Sequence, residues 1–98
     1  MKIVPSKTKT KKWTALFSKD IDGKRKVIKM TSFGQKGADD YTITGDKEQR
    51  KRYRQRHKKD LQKGNYMSPG FLSMGLTWGN STDLDTNIKS YKKKYNLS

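Results

Sequence analysis

The chain has no cysteine, which excludes disulfide staples, thiolate metal sites and a thiol nucleophile together. Acidic residues are scarce: nine Asp and Glu stand against 24 Lys and Arg, a formal net charge of +15 on 98 residues. Long apolar runs are missing as well. No segment approaches the roughly 20 apolar residues that a membrane span needs, and nothing resembling a signal peptide follows Met1-Lys2-Ile3-Val4-Pro5, so no secretion is expected. The single histidine, His57, cannot build a zinc set without thiols. There is no Gly-x-Ser-x-Gly elbow, and the acids form no calcium loop. The two glycines of Gly34-Gln35-Lys36-Gly37 lack the Gly-Lys-Ser/Thr ending of a phosphate loop. These absences predict a protein that is not an enzyme, with no catalytic residue, no metal, no cofactor and no small-molecule substrate.

What is present suffices for one small domain. Globular domains centre on about 100 to 150 residues, and ten aromatic residues can supply much of a small core. Residues 1–12, with Lys2, Lys7, Lys9, Lys11 and Lys12 and no acid, read as a basic N-terminal arm, with Ile3-Val4 available as a further strand. Residues 13–98 read as a single α+β domain. Asp22-Gly23 is the dipeptide of a type I′ hairpin turn. A straight register from it pairs Phe17 with Ile28, Ala15 with Met30, Leu16 with Lys29 and Thr14 with Thr31, which makes one face apolar.

Three helices are predicted to pack on this hairpin. The first starts near Asp46 and runs to a Lys63-Gly64-Asn65 stop, with Arg50, Tyr53, His57 and Leu61 on its inner side. The second opens with Ser68-Pro69 as N-cap and first-turn proline and runs from Gly70 to Trp78. The third carries the stripe Leu84, Ile88, Tyr91 and Tyr95 and ends in Lys92, Lys93 and Lys94. The predicted core is Trp13, Phe17, Ile28, Tyr53, Phe71, Trp78, Leu84 and Ile88. An arginine on a packed face calls for a carboxylate, so a structural ion pair between Asp40 and Arg50 is expected.

The charge points to the partner. From Lys47 to Lys63, nine of 17 residues are Lys or Arg and two are acids, which is the electrostatic footprint of a polyanion-binding helix. Lys7, Lys9, Lys11, Lys12, Lys47, Lys51, Arg52, Arg54, Lys58, Lys59, Lys92 and Lys93 are the candidate nucleic-acid-binding residues. No zinc finger, RNP motif or helix-turn-helix spacing is present. The expected contacts are therefore to the DNA or RNA backbone, with little sequence specificity.

Phe33-Gly34-x-x-Gly37, Asp40-Tyr41-Thr42, Arg50-x-x-Tyr53-x-x-Arg56-His57-x-Lys59, Leu72-Ser73 and Trp78-Gly79 occur together over the stretch from Phe33 to Tyr95. In this combination the chain resembles a family of short basic proteins of unknown function encoded by nucleocytoplasmic large DNA viruses, including giant viruses of algae and protists. The resemblance implies a viral protein and a virion component, located in the particle or in the infected host cell, cytoplasm or nucleus. It leaves two expectations open: a nucleic-acid-binding protein alongside the genome, or a minor capsid or cement protein whose lysines meet acidic faces of neighbouring capsid proteins.

Overall fold

Asp22 and Gly23 both take positive φ, 51° and 76°, as a type I′ turn demands. From this turn β2 (Lys11–Ile21) and β3 (Lys24–Gln35) run antiparallel in the computed structural model, which describes residues 1–97. β1 (Lys2–Pro5) pairs with the other edge of β2 and completes a three-stranded sheet in the order β1-β2-β3. The first residues are thus not wholly an arm. Ile3 pairs with Ala15, Val4 pairs with Thr14, and Met1 is buried, so residues 6–10, between β1 and β2, are what remains of the arm.

The hairpin register departs from the straight one predicted. Ile21 faces Lys24 and Ser18 faces Val27, but Phe17 faces Lys29, which leaves Ile28 as the extra residue of a β-bulge. Beyond the bulge Leu16 faces Met30, Ala15 faces Thr31, Thr14 faces Ser32 and Trp13 faces Phe33. Directly opposed residues share a face, so the slip turns Thr31 and Phe33 toward the core. It leaves Ile28 and Met30 outside, 54% and 69% exposed, against the expectation that they pack on Ala15 and Phe17.

After the sheet come α1 (Tyr41–Thr44), α2 (Lys47–Arg56), α3 (Lys58–Gln62), α4 (Pro69–Gly75) and α5 (Leu84–Lys94). The Asp46 carboxylate accepts from the amides of Glu48 and Gln49 and so starts α2. The long basic helix predicted from the sequence breaks at His57 into α2 and α3, and Gly64, with φ of 70°, ends the run. Ser68 accepts from the Phe71 amide and Pro69 occupies the first turn, where its missing N–H costs nothing. This helix is shorter than predicted: it ends at Gly75, and Leu76, Thr77 and Trp78 follow as buried turn residues.

α4 is the hub, in contact with β3, α3 and α5. Its Phe71 and Leu72, with Leu76 just after it, join Met1, Ala15, Phe17, Phe33 and Tyr91 in one apolar cluster, with Trp13, Leu84 and Ile88 half-buried against it. α5 can approach because position 75 is glycine: a Cβ there would stand 2.6 Å from the Tyr91 ring. The architecture is α+β, an N-terminal sheet packed on helices, as the sequence predicts.

Candidate nucleic-acid interface and the adjoining cleft

The inner side of α2 holds two arginines, and both are used inside the fold. Arg50 Nε donates to the Trp78 and Gly79 carbonyls at 3.2 and 2.8 Å, Nη2 donates to Asn80 Oδ1 at 2.7 Å, and the guanidinium lies 5.5 Å from the Tyr41 ring centroid. Arg54 Nη1 donates to the Met74 and Trp78 carbonyls at 2.6 and 3.0 Å. Asn87 Nδ2, from α5, donates to the Leu76 carbonyl at 2.8 Å. These donors satisfy the carbonyl of Met74 in the last turn of α4, where positive charge is favourable, and those of Leu76, Trp78 and Gly79 in the turn that follows it. Burial, and after it the Arg50 charge, hold the Arg54 pKa below the ordinary guanidinium value.

Arg50 is therefore structural, as predicted, but its partner is not Asp40. Asp40 caps α1: its Oδ1 accepts from the Thr42 amide at 2.9 Å and from the Thr42 hydroxyl. Its Oδ2 pairs with Lys12 Nζ at 2.7 Å, and the same ammonium donates to the Ala38 carbonyl. The carboxylate is taken up by Thr42 and Lys12, while the Arg50 guanidinium reaches the turn after α4, at Trp78, Gly79 and Asn80. Lys12 and Arg54, both expected to meet nucleic acid, are thus committed within the fold. Arg54 stands four residues after Arg50, hence on the same helix face, a spacing that could have placed it inside.

Of the other candidates, Lys7, Lys9, Lys47, Lys51, Arg52, Lys58, Lys59 and Lys93 are exposed, and Lys11 and Lys92 are half-buried. None of these ten lies within salt-bridge distance of a carboxylate among the described residues. The outer end of the hairpin adds Lys19, Lys24, Lys26 and Lys29, all exposed, which sequence reasoning missed. Their signal in the sequence was the density of lysine on either side of the Asp22-Gly23 turn. Replacing Arg50 or Arg54 with alanine should cost about 1.5 to 3 kcal/mol, because each leaves charge-assisted bonds to backbone carbonyls unmade. Arg52→Ala should stay within about 0.5 kcal/mol. Urea midpoints of the three variants check this, and equal small shifts would place both arginines on the surface.

Beside the inner arginines lies an open cleft of about 610 Å³ between the β2 and β3 ends, the loop 34–40, α2, α3 and α4. A column of rings forms part of its wall: Trp78 and His57 each stack on Tyr53 with centroids 4.1 Å away and interplanar angles of 8° and 24°. Two near-parallel rings so close to Tyr53 cannot share one of its faces, so Tyr53 is the middle tier. Burial is the main cause that raises the Tyr53 pKa, against a hydrogen bond with Ser73 that lowers it. His57 ends the column with its side chain 41% exposed and its Nδ1 3.3 Å from Asp60 Oδ2. Gly70 lets Asp60 lie close, since a Cβ at that position would sit 2.5 Å from the carboxyl carbon.

The fold and its charges define a small basic α+β domain in which some cations brace the helices and others stand free on the outside. The chain belongs to a family of unknown function, DUF5754, whose model matches residues 1–57, from β1 to the end of α2. No curated protein and no solved structure matches it. No helix among the described residues is long and apolar enough to cross a membrane.

Proposed function

We propose that the protein binds nucleic acid through phosphate contacts, with little dependence on sequence, as a non-enzymatic component of a large DNA virus particle. The observation that carries the binding is the division of labour on α2. Arg50 and Arg54 are spent on backbone carbonyls at the end of α4 and in the turn after it, whereas Lys47, Lys51 and Arg52, with Lys58 and Lys59 of α3, are exposed and have no carboxylate partner among the described residues. Free cations held on a braced helix can displace the counterions condensed on a phosphate backbone. The particle setting rests on the sequence resemblance. Titration of a fluorescent DNA duplex at low salt tests the binding: saturable association is expected for unrelated sequences alike, and its absence would overturn the reading.

A second reading, a cement protein between capsid subunits, draws on one further observation. Val27, Ile28 and Met30 are exposed on β3, at the sheet edge, beside Lys26 and Lys29. An apolar, cationic strand edge suits the acidic flank of another protein better than it suits phosphate. Fractionation of particles separates the two readings: the protein should follow the genome core under the first and the shell under the second.

A further inference from the structure

The cleft beside α2 is charge-balanced in a strongly cationic chain. Its lining places Lys11, Lys12 and Arg56 against Asp39, Asp40 and Asp60, three cations against three carboxylates, in a molecule whose net charge is +15. Two of those acids are already engaged, Asp40 with Lys12 at 2.7 Å and Asp60 with His57 at 3.3 Å. A site shaped to hold phosphate would not gather carboxylates. One shaped to hold a neutral, planar, polar group would, because donors and acceptors of both kinds can meet its edges while rings meet its face.

We propose that the cleft takes the base of one unpaired nucleotide of a nucleic-acid strand, while the phosphates on either side lie on the cations outside. This rests on the phosphate-binding reading and adds a base site to it. Three features fit. The volume of about 610 Å³ is in the range of small-molecule pockets and has room for a base with its sugar. The Trp78–Tyr53–His57 column offers stacking that is blind to base identity, with His57 as its solvent-facing tier. Unspent polar groups stand along the lining. Gln49 accepts from the Thr44 hydroxyl through Oε1 at 2.9 Å, which leaves its NH₂ to donate. Arg56, exposed and next to His57, can reach the adjoining phosphate. A duplex keeps its bases stacked and cannot supply one without the cost of unpairing, so the site selects single strands.

Two strands with identical phosphates separate the base site from phosphate binding. A single-stranded 12-mer should bind the full chain roughly ten-fold more tightly than the same 12-mer made wholly abasic, since stacking one base is worth about 1 to 3 kcal/mol. Both should weaken with salt at the same slope. His57→Ala should remove most of the margin and leave the abasic strand's affinity where it was. Equal affinity of the two strands would overturn the base site and leave phosphate binding standing, whereas flat salt dependence of both would overturn phosphate binding. A second measurement needs no variant. The chain has one histidine, so its imidazole gives a single set of ring-proton resonances. Adenosine monophosphate should shift them saturably, and ribose 5-phosphate should not. An unmoved imidazole would overturn the proposal, and tighter binding of the mononucleotide than of the strand would overturn the strand as the source of the base.

Discussion

Asp40→Ala should be the most damaging single change of a polar residue in this chain, at about 3 to 5 kcal/mol, the usual cost of stripping one partner from a buried ion pair. Asp40 is 2% exposed and serves two structures at once. It caps α1 through the Thr42 amide, and it neutralises a Lys12 ammonium whose side chain is 15% exposed. Loss of the cap alone accounts for about 1 kcal/mol, and the rest is the charge left behind under the loop. Lys12→Met in the same chain should restore part of the loss, because it removes the stranded ammonium. A chemical-denaturation cycle over the two single variants and the double variant reads this coupling. Additive losses would mean that the two residues do not depend on each other.

The largest effect on binding should come from salt. If about six phosphates are neutralised, affinity for duplex DNA should fall roughly 10³-fold between about 50 and 200 mM monovalent salt, because each neutralised phosphate releases close to one condensed counterion. The structure narrows which residues can take part. Lys12, Arg50 and Arg54 are engaged within the fold, so they are not counted, while Lys47, Lys51, Arg52, Lys58 and Lys59 stand exposed. Flat affinity over that salt range would show that the cations meet no phosphates.

The local parts of the fold were legible in the sequence, because each depends on residues within a few positions of one another. Asp22-Gly23 marked the hairpin turn, Asp46 and Ser68 marked helix starts, Gly64 marked a stop, and the Leu84, Ile88, Tyr91 and Tyr95 stripe marked the inner face of α5. The bulge was not legible. A single unpaired residue in a run as uniform as Val27-Ile28-Lys29-Met30 changes no composition, yet it reverses which side chains reach the core. Partners distant in sequence were also hidden: Lys12 meets Asp40 across 28 positions, and Arg54 serves the Trp78 carbonyl across 24. The cleft was invisible for the same reason, since its lining runs from Lys11 to Trp78. Its aromatic column could be read only in part, from the fourfold spacing of Tyr53 and His57.

If the exposed cations of α2 meet phosphate, the salt slope of binding must fall as they are removed, because that slope is proportional to the number of phosphates neutralised. The triple variant Lys47→Gln, Lys51→Gln, Arg52→Gln leaves the braces at Arg50 and Arg54 in place. Its log affinity for duplex DNA plotted against log salt should be shallower than that of the unmodified chain by roughly 2.7, about 0.9 for each phosphate left without its cation. An unchanged slope in a variant that remains folded would contradict the account.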